Sequence, residues 1–363
     1  MEDKAILNKL VMYLIGVFFI IGGIDYLLGN KFKLGEKFEE GIKSMGTLAL
    51  SMMGIYSLTP VIAQYISKFI VPICKIFKLD PSIFSGIILA VDMGGYNLSK
   101  ILALDKGMGL FSGIVLASNI GATFSFSIPL ALGIIEKDEL KDFFKGVIVG
   151  IMATPFGCIV GGLFCDVNKG YMLYNMLPII FFSFLLSISI IKIPNKLINI
   201  FNFIGKLILI LSSIGLLAQG IYMIFNIKIF KNIISFSEAI EVVGKIAFIL
   251  GGAYPMISVI NKLFYKVLQR IGNKVRTNAF SVTGILANLA NNILVFKSFK
   301  EMDYRGKIIN SSLTVSVAFV FGGQLAFISG IEPSMIMAFI VSKLSGGALS
   351  FFISLYILKI QEN

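Results

Sequence analysis

Ala90-Val91-Asp92-Met93-Gly94-Gly95-Tyr96-Asn97 stands in the middle of an apolar run that extends from about residue 82 to 104. A carboxylate, paired glycines and an asparagine at that depth oppose a straight, lipid-facing helix. Gly is a poor helix former, and Asn bonds readily to nearby backbone. A second run, 278–299, is interrupted in the same manner by Ala287-Asn288-Leu289-Ala290-Asn291-Asn292. An opened helix bares N–H and C=O groups that lipid cannot solvate, so such breaks occur where backbone is buried in protein or lines a wet cavity. Matching interruptions in two halves of a chain point to a transporter's binding site.

Composition shows that the surroundings are lipid. Of the 363 residues, 56 % are hydrophobic and 14 % charged, with mean hydropathy +0.89. Soluble domains carry about 45–50 % apolar and about 25 % charged residues. Eleven apolar runs lie near 6–28, 42–73, 82–104, 108–135, 144–165, 172–192, 197–226, 242–268, 278–299, 308–330 and 334–358. Most approach or exceed the roughly 20 residues that a spanning helix needs. They are continuous rather than alternating, which excludes an outer-membrane barrel. The first run is too long for the apolar core of a signal peptide and lacks a cleavage site. The expected fold is an all-α polytopic membrane protein with 9–11 transmembrane segments.

Several absences narrow the chemistry. The chain has no His, which removes imidazole catalysis and His-based metal sites. Cys74, Cys158 and Cys165 lie in or beside apolar runs without a CxxC pair. Gly205-Lys206, Gly244-Lys245 and Gly306-Lys307 are each followed by Leu or Ile, so no phosphate-binding P-loop is present. The net charge of +12 comes from lysines dispersed between apolar runs, which suits membrane topology better than nucleic acid. The expectation is a non-enzymatic protein of the lipid bilayer with no cofactor, no metal and no nucleic-acid partner. A homo-oligomer stays open.

The chain also repeats itself. Glu40-Gly41-Ile42-Lys43-Ser44-Met45-Gly46 resembles Glu238-Ala239-Ile240-Glu241-Val242-Val243-Gly244, and each opens a helix carrying Tyr and then Pro, Tyr56 with Pro60 and Tyr254 with Pro255. Gly86-Ile87-Ile88-Leu89-Ala90 to Asp105 aligns with Gly284-Ile285-Leu286-Ala287-Asn288 to Asp303. Gly161-Gly162 has its counterpart in Gly346-Gly347. Residues 1–166 and 196–363 are therefore expected to be two copies of one five-segment membrane unit, joined by a helix within 167–195. If all eleven runs cross, the copies are parallel and Lys and Arg divide almost evenly between the faces. If 82–104 and 278–299 re-enter, the copies are inverted and the basic residues favour the face of the C-terminus. The second pattern obeys the positive-inside rule. It predicts nine crossings, two re-entrant or broken helices and a cytoplasmic C-terminus.

Asp92 is the sharpest candidate. A carboxylate at the centre of a membrane helix costs about 2.5–3.5 kcal/mol on insertion scales, so it normally has a partner and a task. It is expected to be the counter-charge of a cation, against the alternatives of an ion pair with Lys100 or a protonated side chain. Gly94 and Gly95 open the backbone beside it. Asn288, Asn291 and Asn292 offer amide groups to an amine and a hydroxyl, or else satisfy their own opened hairpin. Asn97, Asn119 and Gln324 form a second tier, with Ser125 and Ser127; a lone helical amide more often bonds to a neighbouring helix. Asp25 is expected at the interface, and Lys206, Lys245, Lys297 and Lys343 are expected to snorkel from segment ends.

Leu58-Thr59-Pro60-Val61, Asp80-Pro81-Ser82, Asp92-Met93-Gly94-Gly95 and Ile128-Pro129-Leu130-Ala131-Leu132-Gly133-Ile134-Ile135-Glu136 together resemble the ethanolamine transporter (EutH) family. Gly251-Gly252-Ala253-Tyr254-Pro255-Met256, Leu289-Ala290-Asn291-Asn292 and Met302-Asp303-Tyr304-Arg305-Gly306-Lys307 extend the likeness over essentially the whole chain. The resemblance implies a multi-pass protein of the bacterial plasma membrane that brings ethanolamine into the cell. Two positions depart from that pattern: Gly323-Gln324 replaces an acidic residue and a His, and Leu294 follows Ile293 where relatives have Pro. Ethanolamine is mostly a primary ammonium at neutral pH, needing a compensating charge and a partner for its hydroxyl. Asp92 with the asparagines at 288–292 would supply both. With one carboxylate near the midplane, a facilitator or potential-driven uniporter is expected over ion-coupled symport. A channel-like pore for small cations or amines is the alternative, and it would need a continuous polar stripe along several helices.

Overall fold

A computed structural model describes residues 2–362, and among them it contains helices and connecting turns but no strand. The first half runs α1 (Glu2–Leu27), α2 (Gly35–Leu48), α3 (Gly54–Ile76), α4 (Ser82–Ile88), α5 (Tyr96–Leu102), α6 (Lys106–Leu110), α7 (Ile128–Ile134) and α8 (Leu140–Gly162). A π-helical turn at Ala49–Met53 welds α2 to α3, and π-helical stretches at Phe111–Gly121 and Thr123–Ser127 weld α6 to α7. The connector is α9 (Lys169–Lys192). The second half runs α10 (Pro194–Phe225), α11 (Phe236–Val275), α12 (Ala279–Ala290), α13 (Asn292–Lys297), α14 (Tyr304–Ser316), α15 (Gly323–Ile331) and α16 (Ile336–Glu362).

Eight helical stretches among the described residues are long and apolar enough to cross a bilayer. Their outer faces carry large apolar side chains, such as Leu10 and Leu27 on α1, Phe181 on α9 and Leu209 on α10, in the exposed positions that a soluble protein would fill with charge. Their inner faces use small residues. Gly54 lies against the Ser212 carbonyl of α10, and Gly157 lies against Ser342 and Gly346 of α16, so tightly that a Cβ would collide with backbone at either place. Without a hydrophobic drive between helices in lipid, close backbone approach and interhelical hydrogen bonds hold the bundle.

Glycine contacts also fix helix directions. Gly157 meets Ser342 and Gly346 while Gly161 meets Ala338, so α8 and α16 are antiparallel. Gly41 meets Leu250 and Gly251 while Gly244 approaches Met45, so the two long helices are antiparallel as well. Gly146 faces Ile308 and Gly150 faces Ser312, so α14 runs with α8; α15 continues the same way, and 304–331 traverses the bundle in two pieces.

Both interrupted runs return to the face from which they start. At the base of α4–α5, the Asp80 carboxylate accepts the N–H groups of Ser82 (3.0 Å), Leu104 (3.1 Å) and Asp105 (3.1 Å), and the two legs are stitched by Ser85 Oγ to Ser99 Oγ at 2.7 Å. At the base of α12–α13, Asn278 donates its N–H to Asp303 Oδ1 (2.9 Å) and its Nδ2 to the Glu301 carbonyl (2.8 Å). The first base sits beside the α8–α9 turn, with Gly107 against Asp166. The second sits at the start of α8, where Lys300 pairs with Glu136 and Lys307 with Glu139. The two re-entrant hairpins therefore open at opposite ends of α8.

Asp25, near the end of α1, is covered by the turn that follows: its carboxylate accepts the N–H groups of Phe32, Leu34 and Gly35 and ties the α1–α2 turn. One expectation about charges is corrected. Lys343 does not snorkel; at 1 % exposure it is among the most deeply buried side chains, because Ile336 and not Lys343 begins α16 and the lysine falls two turns inside.

Candidate functional site

The first hairpin turns at its tip because α4 cannot continue past Ile88. Leu89 and Ala90 are extended, and Gly94 takes φ +91°, a conformation that costs glycine little and an L side chain much. The Ala90 carbonyl accepts N–H groups from Met93 and Gly95, both at 3.0 Å, and the Ala90 N–H goes to Ser125 Oγ at 2.9 Å. Gly95 is buried against Ala117. Asp92 lies in this turn, half-buried. It does not pair with Lys100, whose Nζ donates to Tyr96 Oη at 3.2 Å. Asn97, one residue beyond, sits half-buried beside Tyr56.

The second hairpin breaks at Asn291, which is extended and caps α13 by accepting the Ile293 N–H at 2.8 Å. Asn292 is fully buried; its Nδ2 donates to Ser127 Oγ at 3.0 Å, and its Oδ1 has no partner. Asn288 is consumed by structure: Nδ2 donates to the Asn310 carbonyl and Oδ1, and its own Oδ1 accepts Thr314 Oγ1 at 2.9 Å.

Ser125-Phe126-Ser127 joins the two tips. Ser125 holds the first through Ala90, Ser127 holds the second through Asn292, and Phe126 stacks edge-on to Phe319 with ring centroids 5.6 Å apart. Phe319 belongs to a break at 317–322 that interrupts the tenth apolar run, which the sequence presents as continuous. There the N–H groups of Phe319 and Phe321 bond to the carbonyls of Asn288 and Leu289, so the break braces the second tip. The paired Gly322-Gly323 was the signal available for it. Gln324 follows, buried, with Oε1 unpartnered, in the first turn of α15. That helix packs on the Val91–Gly95 turn, and its end meets the first hairpin through Tyr96 Oη donating to Glu332 Oε2 at 3.2 Å.

The nine candidate residues thus divide. Asp92, Gly94, Gly95 and Asn97 share the first tip, Asn291 and Asn292 the second, and Gln324 stands on the helix that packs on the first. Asn119 is occupied elsewhere, donating to the Val115 carbonyl and to Ser342 Oγ at 3.0 Å, the interhelical use common for a lone amide. Sequence inspection missed Asn310 and Thr314, which anchor Asn288, and Lys343. A cavity of about 620 Å³ lies apart from these residues, between Asn8, Met12, Phe164 and Met335 at the helix ends.

Comparison with known proteins identifies the family. The family model described as "Ethanolamine utilisation protein, EutH" matches residues 7–357. The chain is 41 % identical over 350 residues to the probable ethanolamine permease EutH of Listeria monocytogenes serotype 1/2a (strain 10403S), covering 96 % of this chain and 94 % of that protein. It is 38 % identical over 340 residues to the uncharacterized protein YxeR of Bacillus subtilis (strain 168), covering 94 % and 92 %. It is 34 % identical over 379 residues to the probable ethanolamine permease EutH of Salmonella typhimurium (strain LT2), covering 94 % and 93 %. No solved structure matches the chain. Matched from end to end by that model and by relatives above one-third identity, the chain belongs to the EutH family of ethanolamine utilisation proteins.

Proposed function

We propose that this protein is a carrier for ethanolamine in the bacterial plasma membrane, taking up the ammonium form at the paired hairpin tips. Asp92 is the counter-charge. Asn292 Oδ1 and Gln324 Oε1 are acceptors for the ammonium hydrogens or the hydroxyl, and Asn97 and the backbone opened at Gly94-Gly95 and Asn291 complete the lining. The observation that carries the proposal is a half-buried carboxylate at the first break, a buried and unpartnered Asn292 Oδ1 at the second, the two breaks being held by Ser125 and Ser127, and a further unpartnered Gln324 Oε1 on the helix that packs on the first. Buried acceptors without partners are rare in finished interiors and are a natural feature of a site awaiting a donor-rich guest. Asn288 supports the second tip through Asn310 and Thr314, and Asn119 stands outside the lining.

The same proposal makes residues 1–166 and 196–363 inverted repeats around the connector 167–195. In support, equivalent helices run antiparallel, α8 against α16 and the long helix 35–76 against α11, and the hairpins open at opposite ends of α8. A fixed site between inverted units is suited to alternating access, each hairpin closing one route. Among the described residues, buried hydroxyls and amides between 111–127, α14 and α16 are bonded to one another, as in Asn119 with Ser342, Ser316 with Ser350 and Ser354 with Ser312, whereas Asn292 Oδ1 and Gln324 Oε1 stand unpartnered beside the breaks, which favours a carrier over a pore.

Counterflow of labelled ethanolamine in proteoliposomes tests the proposal. Asp92→Asn is expected to lose counterflow while still inserting, and Asp92→Glu to retain part of it. Near-normal counterflow in Asp92→Asn would refute the counter-charge, and flux without saturation in the unaltered protein would refute the carrier.

A further inference from the structure

A groove at the start of α8 takes no part in the hairpin tips. Phe144 and Ile148 of α8 line it together with Ile190 of α9 and Ile198 of α10, and it encloses about 660 Å³, a volume in the range that holds a drug-sized ligand. Lys137, Lys141 and Lys145 line it as well, from the turn before α8 and from its first two turns. The groove is therefore apolar along the helices and basic at their ends, the depth at which a membrane passes from acyl chains to headgroups. Because α8 and α16 are antiparallel, this end shares its face with the C-terminus and with Lys300, Lys307 and Lys359. The positive-inside rule places that face in the cytoplasm. Most carboxylates of the turn are engaged: Glu136 with Lys300 at 3.0 Å, Glu139 with Lys307, and Asp142 with Lys145 at 2.9 Å. Lys145 also donates to Tyr304 Oη at 3.2 Å. Lys137 and Lys141 are exposed and make no ion pair among the described residues, and Lys192 and Lys196 are exposed on the facing α9–α10 turn. Asp138 is left to offset these four lysines.

We propose that this groove binds one anionic phospholipid of the inner leaflet, its phosphate at Lys137 and Lys141 and its acyl chains along Phe144, Ile148 and Ile198. The two halves of the groove select that occupant together. A free anion satisfies the lysines and leaves the apolar walls bare. A zwitterionic lipid fills the walls but brings its own cation among the lysines. A second copy of this chain, docked through the same groove on a twofold axis, sets one lysine rim against another. Basic pockets between membrane helices on the cytoplasmic side are suited to anionic headgroups, which stay in place because the chains are buried beside them. The site is independent of what the hairpin tips carry. It acts instead on the scaffold, since the same turn holds the base of the second hairpin through Glu136 and Glu139. A phosphate at Lys137 and Lys141 relieves the repulsion among the lysines of that turn, and the chains fasten the start of α8 to α9 and α10.

Native mass spectrometry of the full chain in detergent, titrated with phosphatidylglycerol or with phosphatidylcholine of the same acyl chains, tests the site. One phosphatidylglycerol is expected to be retained at least tenfold more tightly than phosphatidylcholine. A lysine near a lipid surface contributes about fivefold to such binding, so Lys137→Gln combined with Lys141→Gln is expected to weaken phosphatidylglycerol about 30-fold. The control is Lys31→Gln combined with Lys33→Gln in the α1–α2 turn. That turn shares the C-terminal face, because Asn8 near the other end of α1 bonds to Ser334 before α16, and the control is expected to change little. Should the double variant fail to fold, the unaltered protein still decides: phosphatidylglycerol is expected to protect Lys137 and Lys141 from an amine-reactive label and to leave Lys31 and Lys33 open. Equal retention of the two lipids would overturn the proposal, and so would an equal loss in the control pair. Displacement of the lipid by millimolar inorganic phosphate would reduce the groove to a simple anion site. A lipid-free dimer that protects the same lysines would assign it to a second copy of the chain.

Discussion

Replacing Asp80 by Ala should spring the first hairpin at its base. Asp80 is fully buried, and its two carboxylate oxygens accept three backbone N–H groups, from Ser82 at the start of α4 and from Leu104 and Asp105 after α5. Those bonds make the run re-enter rather than cross. Removing the carboxylate leaves the three donors unpaired, and hydrogen bonds to a charged acceptor contribute about 1.5–3 kcal/mol each. Taking the low end for each, the closed base loses about 4.5 kcal/mol against a locally opened one. At about 1.4 kcal/mol per tenfold, amides of the hairpin base should exchange with solvent about 10³-fold faster. Hydrogen–deuterium exchange of peptides covering 78–106, with peptides from α8 as the internal reference, reads this directly. Asp80→Asn keeps one acceptor oxygen and should fall between. Unchanged exchange at 82–105 in Asp80→Ala would refute the latch and the account of why the hairpin returns.

Ser127→Ala removes the partner of Asn292 Nδ2 and leaves a fully buried amide unsatisfied, which costs about 1–3 kcal/mol. The half-saturation concentration for ethanolamine uptake should rise about tenfold while membrane insertion holds, as judged by surface labelling. Gly157→Val forces side-chain atoms into the backbone of Ser342 and Gly346 and should destabilise the α8–α16 pair by about 1–3 kcal/mol, visible as a lower unfolding temperature in detergent. The Lys300–Glu136 pair outside the membrane raises the lysine above its ordinary value through the carboxylate's hydrogen bond and charge. Its contribution should therefore be complete at neutral pH and disappear only in strong alkali, as the lysine deprotonates; a stability change between neutral and mildly alkaline pH that Lys300→Met abolishes would contradict this.

The re-entrant hairpins were legible because their signals are local. Gly94-Gly95 and Asn291-Asn292 weaken a helix wherever they stand, and a break in lipid has few acceptable explanations. The break at 317–322 was less legible, since Val317-Ala318-Phe319-Val320-Phe321 is as apolar as its neighbours and only Gly322-Gly323 betrays it. It forms because the second tip offers the Asn288 and Leu289 carbonyls to Phe319 and Phe321, a partnership between segments that no local pattern encodes. Lys343 was misjudged for the same reason. Distance from the end of an apolar run measures depth along a helix, and says nothing about which neighbour covers the side chain.

By itself, the sequence determined the solvent, the helical class and the positions of two breaks. Each of these depends on residue type and spacing alone, through the cost of baring peptide groups to lipid. Only the tertiary structure decided that the broken runs return to their own faces, that Ser125 and Ser127 tie the two tips together, and that Lys343 is buried. Those outcomes depend on hydrogen bonds and charges between residues tens to hundreds of positions apart, which acquire meaning only when the helices have packed.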